Sequence, residues 1–279
     1  MLRDITLGQY FPGDSVIHRM DPAVKILASV VYMVAVFLCR NIWSFAFILA
    51  ASVFSTAVSK IPFRAVLKSM KPLVIILLIT TFINVFFYEG ETVLVSWHFI
   101  HITLEGILNA LLIAVRIICL LIGTSVILTY TTSPIDITDG IERLLKPLAM
   151  LGVDVHIFAM MMAIALRFIP TLIEETDRII SAQKARGADF DSGNLVSRAK
   201  ALIPVLIPLF AAALRHALDL ATAMECRCYH GGEGRTKMNE RKPKAGDFVL
   251  LGAFVIIGAC VIIINKYAPG FNTGSVTGA

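Results

Sequence analysis

Five long apolar runs, at residues 24–39, 43–58, 73–87, 107–130 and 248–264, restrict what this chain can fold into. Runs of this length are the mark of helices that cross a bilayer rather than of a large water-soluble core. The shorter ones reach the roughly 20 residues of a span by borrowing flanking residues. The bulk figures agree: 57% of the 279 residues are apolar and 16% charged, against about 45–50% and about 25% in soluble domains. Asp21-Pro22 is a helix start, with Asp as N-cap and Pro in the first turn. Residues 1–21 carry no apolar core, so no cleavable leader is expected. Cys39, Cys119 and Cys260 lie inside apolar runs and read as small hydrophobes.

Loop charges set the expected orientation. Lys60, Arg64, Lys68 and Lys71 follow the second run with no acid among them, whereas Glu89, Glu91 and Glu105 follow the third with no Lys or Arg. The positive-inside rule puts the first loop in the cytoplasm and the second outside. The N-terminus and the segment after Tyr130 are then cytoplasmic, and the tail after Lys266 is external.

Between the fourth and fifth runs the chain holds most of its charges, both signs interspersed. Such a segment belongs largely outside lipid. Three helical pieces are expected, at 135–151, 155–185 and 195–229. Pro147, Pro170, Pro204 and Pro208 should kink them. The expected fold is therefore all-α and polytopic, with about five transmembrane helices and a cytoplasmic arm of two to three long, proline-kinked helices. Residues 1–132 would form a bundle of four spans, 133–246 the arm, and 247–279 the last span and an external tail.

The arm carries one device twice. Ala185-Arg186-Gly187 puts an arginine in a last helical turn, with glycine where the chain must leave the helix. Glu225-Cys226-Arg227-Cys228 repeats it, the arginine again flanked by small residues. A guanidinium so placed projects past the helix end, and its planar fork of donors suits a partner's groove. Taken singly, each reads by default as an arginine facing water; the repetition favours a function.

Other clusters carry less. Cys226, Cys228 and His230 resemble a metal set, but helix positions two apart diverge. Residues 231–236 are glycine-rich without the Gly-Lys-Ser/Thr ending of a phosphate loop. Glu174-Glu175 with Arg178, His216 and Asp219 suggest an intramembrane enzyme such as a glutamate-type prenyl endopeptidase. There, however, the arginine follows one residue later, and a solvated amphipathic face is the better reading of these residues. Arg116, roughly 16 Å into the fourth run at helical rise, must face the bundle interior or a functional contact.

Three stretches resemble one family. Residues 8–15 (Gly-Gln-Tyr-Phe-Pro-Gly-Asp-Ser) with His18-Arg19-Met20-Asp21-Pro22 and Lys25 are similar to the opening of the transmembrane T component of energy-coupling factor transporters. Gln183-Lys184-Ala185-Arg186-Gly187 and Ala223-Met224-Glu225-Cys226-Arg227-Cys228-Tyr229 resemble that family's two Ala-Arg-Gly coupling motifs. The resemblance implies a non-catalytic subunit in a bacterial cell membrane. It would bind two ATP-binding-cassette ATPases through Arg186 and Arg227. It would also hold a membrane S component, for vitamin or metal-ion uptake, against its coupling helices. Met160, Met161, Ile164, Phe168, Leu202, Leu206 and Leu209 would face the S component. ATP and Mg2+ would sit on the ATPases, with no cofactor, metal or nucleic acid on this chain. The second motif has Cys226 for Ala and Cys228 for Gly. A left-handed cap is then expected later, at Gly231.

Overall fold

The computed structural model describes residues 10–87, 93–97, 100–152, 154–188, 190, 194–231 and 244–267. Gly8, Gln9, Glu89, Glu91, most of the glycine-rich link and the tail after Tyr267 lie outside them. The chain is an all-α polytopic membrane protein with one small β-hairpin in a connection. It divides into two compact units: residues 8–141 with 241–279, and residues 142–240 with 1–7.

The first unit is the apolar bundle. Helix α1 (Val16–Arg19) leads into α2 (Pro22–Leu38), where Asp21 caps the start by accepting from Ala23 N at 2.9 Å. Then come α3 (Ile42–Val58), α4 (Phe63–Met70) and α5 (Val74–Phe87), the last two joined by a 3-10 turn at Lys71–Leu73. Strands β1 (Val93–Trp97) and β2 (Ile100–Thr103) pair antiparallel. They lead into α6 (Leu104–Thr124), capped by Thr103 and continued by a π-helical segment, Ser125–Thr129. Helix α10 (Ala245–Tyr267) closes the unit against α2 and α3.

The core lies among α2, α3, α6 and α10, around Tyr32, Val36, Phe45, Ile48 and Val261. Tyr32 donates to the carbonyl of Cys119 at 2.9 Å and lies 3.1 Å from Ser52 Oγ, so its hydroxyl is satisfied inside an apolar bundle. Asn265, at the end of α10, accepts from Ser44 Oγ at 2.6 Å and donates to the Leu38 carbonyl at 2.6 Å. One amide thus pins α10 to the α2–α3 turn. Arg116 donates from Nη2 to the Cys39 carbonyl at 2.9 Å, with its guanidinium 5.2 Å from the Phe45 ring centroid. That satisfies an orphan carbonyl at the end of α2, so the arginine has a structural role in the bundle.

The N-terminal signature is a knot. Ser15 Oγ accepts from His18 N at 3.2 Å and lies 2.6 Å from His18 Nδ1, while His18 Nε2 reaches the Phe11 carbonyl at 2.9 Å. Phe11 N donates to the Tyr130 carbonyl at 3.0 Å, and the two rings meet edge to face. These bonds tie the N-terminal segment to the exit of α6.

The second unit holds the end of α7 (Pro134–Leu145), a 3-10 turn at Lys146–Leu151, and two 31-residue helices, α8 (Val155–Ala185) and α9 (Leu195–Glu225). Each long helix spans about 45 Å at helical rise. By length and apolarity, five stretches among the described residues suffice to cross a membrane: 63–86, 104–129, 155–185, 199–225 and 245–267. Helices α2 and α3, 17 residues each, are apolar but shorter. Length alone therefore selects α8 and α9 in place of α2 and α3. Charge argues the other way: Arg215 and Asp219 lie exposed in the C-terminal half of α9, and a charge in lipid costs up to about 2.5–3.5 kcal/mol, the value at the bilayer centre.

Candidate functional site: two arginine-tipped helices

Helices α8 and α9 pack antiparallel. Gln183, near the end of α8, meets Pro204 near the start of α9, while Phe168 stacks on His216 with ring centroids 5.9 Å apart. Partner numbers fall on one helix as they rise on the other. Proline chemistry explains the first contact. Pro208 has no N–H to give the carbonyl four residues back. Gln183 Nε2 donates to that carbonyl, Pro204 O, at 3.4 Å. Small Ala213 and Ala217 leave a groove of about 320 Å³ between the helices, bordered by Ile164, Phe168 and His216.

The ends of the two helices are built alike. At α8, Gly187 N donates to Lys184 O and Ala188 N to Gln183 O, both at 3.0 Å. At α9, Cys228 N donates to Glu225 O at 2.9 Å and Tyr229 N to Met224 O at 3.0 Å. This paired-bond closure needs one left-handed residue just past the helix. Gly187 supplies it with φ +88°. At the second end Cys228 supplies it, with φ +56°. The expectation that Gly231 takes over is corrected. Gly231 has φ +102° but lies beyond both cap bonds, because the chain leaves the helix at Arg227 and the next residue must turn. A side chain in this conformation costs about 1–2 kcal/mol.

Each arginine thus sits at the end of its rod, immediately before the left-handed residue, and both are exposed, as are Ala185, Gly187, Glu225, Cys226 and Cys228. Antiparallel packing sets the tips at opposite ends of the pair. By helical rise, Arg227 falls level with the start of α8, about 40 Å from Arg186. The structure therefore separates the two motifs rather than gathering them.

The residues expected to face a membrane partner divide. Ile164 and Phe168 border the interhelical groove, Met160 and Leu209 are half-buried, and Met161, Leu202 and Leu206 are exposed. Of the residues that suggested a protease, Glu174 and Arg178 are exposed, Glu175 is half-buried and His216 stacks on Phe168. No hydrogen bond joins the glutamates to His216 or Asp219 among the described residues. The sequence reading missed Gln183's role as a tether and the antiparallel pairing; the one available signal was the four-residue spacing of Pro204 and Pro208.

The profile of the CbiQ cobalt transport protein family matches residues 13–238. The chain is 51% identical over 250 residues to the energy-coupling factor transporter transmembrane protein EcfT of Clostridium kluyveri, covering 89% of this chain and 92% of that one. It is 49% identical over 264 residues to EcfT of Ruminiclostridium cellulolyticum, covering 95% and 98%. It is 54% identical over 240 residues to EcfT of Acidaminococcus fermentans, covering 86% and 89%.

Proposed function

This chain belongs to the CbiQ/EcfT family of energy-coupling factor transporter transmembrane proteins, and from that premise we propose that α8 and α9 are coupling rods held on the cytoplasmic side. Arg186 and Arg227 each anchor one ATP-binding-cassette ATPase. The apolar faces of the same rods, including Met161, Leu202 and Leu206, seat an S component that brings a vitamin or metal ion. ATP and Mg2+ are bound by the ATPases, and this chain is a non-catalytic link.

The observation that carries the reading is the pair of identically capped, exposed arginines at opposite ends of two antiparallel helices. Two ATPases that close on ATP need two grips set well apart, and rods of about 45 Å offer that spacing. Helix stiffness passes a displacement at either tip to the apolar faces between. Charge supports the orientation: Lys60, Arg64, Lys68 and Lys71 lie on one connection, and the next loop carries glutamates with no Lys or Arg.

The test is charge reversal. Arg186→Glu or Arg227→Glu should sharply reduce ATPase copurification with the tagged chain, and the double variant should abolish it together with uptake. An intact complex and normal uptake in the double variant would reject the proposal.

A further inference from the structure

Helix α4 carries a charged face that the coupling role does not use. Arg64, Lys68 and Lys71 are four and three residues apart, the spacing that aligns side chains on one helical stripe. All three are exposed, as is Lys60 at the preceding turn, and none is ion-paired among the described residues. No acid interrupts residues 60–72.

The other sides of the helix are apolar and of two kinds. Val66, 1% exposed, packs with Ile61, Ile122, Val126 and Tyr130, and fixes α4 to the exit of α6. Tyr130 adds a hydrogen bond from its hydroxyl to the Ala65 carbonyl at 3.4 Å. Phe63 and Leu67, 44% and 59% exposed, border the cationic stripe instead. A rigidly held helix thus presents exposed apolar side chains beside a row of unpaired cations. That order matches the boundary of a bilayer, where acyl chains give way to phosphate within a few ångströms.

We propose that α4 is an anionic-phospholipid site, with Arg64, Lys68 and Lys71 binding headgroup phosphates while Phe63 and Leu67 enter the adjoining acyl layer. Charge complementarity selects the occupant. Four cations without a countercharge favour lipids of net negative charge over zwitterionic ones. The exposed Phe63 and Leu67 favour a lipid surface over free phosphate.

The test uses the full chain in phosphatidylcholine nanodiscs with trace spin-labelled phosphatidylglycerol or spin-labelled phosphatidylcholine. The motionally restricted fraction of each reports its association. The wild-type chain should prefer phosphatidylglycerol, and Arg64→Gln/Lys68→Gln/Lys71→Gln should reduce that preference by at least about tenfold. Raising salt to about 0.5 M should weaken the wild-type preference. Should the triple variant fail to fold, Lys68→Gln and the salt series carry the test. Equal association of the two lipids with the wild type, a preference kept by the foldable variants, or one indifferent to salt would overturn the proposal. So would a variant that keeps its lipids but loses a copurifying protein, which would make the stripe a protein-docking surface. The readout involves no ATPase, so its failure and a failure of Arg186 and Arg227 to dock are separate results.

Discussion

The ammonium of Lys25, 1% exposed, donates to the carbonyl of Thr131 at 2.8 Å, across 106 positions of sequence. The same nitrogen donates to the His18 carbonyl and to Thr132 Oγ1, each at 3.2 Å. Three donors meet three acceptors, so the buried cation is fully satisfied. It joins the start of α2 to the turn through which the bundle passes into α7.

Lys25→Met should therefore do more than remove a charge. It strands two buried carbonyls, each costing about 1–3 kcal/mol. The midpoint of thermal unfolding of the solubilised chain should fall by about 5–10 °C, measured by the loss of monodisperse protein on heating. An unchanged midpoint would show that the knot does not hold the bundle.

Gly123 tests the core of the same unit. A Cβ added there would fall inside the Tyr32 ring. Gly123→Ala should cost about 1–3 kcal/mol through overpacking, since Tyr32 must move and give up its bonds to Cys119 and Ser52. Tyr32→Leu in the same chain should recover part of the loss. Thermal midpoints of the two single variants and the double variant would show the coupling.

The two helix caps predict opposite signs. Gly187→Ala forces a side chain into the left-handed conformation and should destabilise the end of α8 by about 1 kcal/mol. Cys228→Gly releases a side chain from that conformation and should stabilise the end of α9 by a similar amount. Amide hydrogen exchange at residues 184–188 and 225–229 would read both, faster in the first variant and slower in the second.

Much of this was legible in the sequence because the determining forces are local. Apolar runs specify helices, Asp21-Pro22 specifies the start of α2, and Gly187 marks where α8 ends. The second cap was misplaced because cysteine seldom turns left-handed; only the bonds made by Cys228 and Tyr229 reveal that it does so here. The β-hairpin was missed although Val93, Val95 and Trp97 alternate, since five residues between longer apolar runs read as a connection. The π-helical end of α6 and the antiparallel pairing of α8 with α9 depend on contacts between distant residues, at which local patterns such as the Pro204–Pro208 spacing only hint.

Coupling to two ATPases requires both arginine tips on the cytoplasmic side. Antiparallel rods that crossed the bilayer would put Arg186 and Arg227 on opposite faces; rods held beneath it put both in the cytoplasm. The direct measurement is labelling of Arg186→Cys or Arg227→Cys by a membrane-impermeant maleimide, in a chain carrying Cys226→Ala and Cys228→Gly, with intact cells and inverted vesicles compared. Both positions should react in inverted vesicles and neither in intact cells. A tip that reacts from the outside of intact cells would contradict the account.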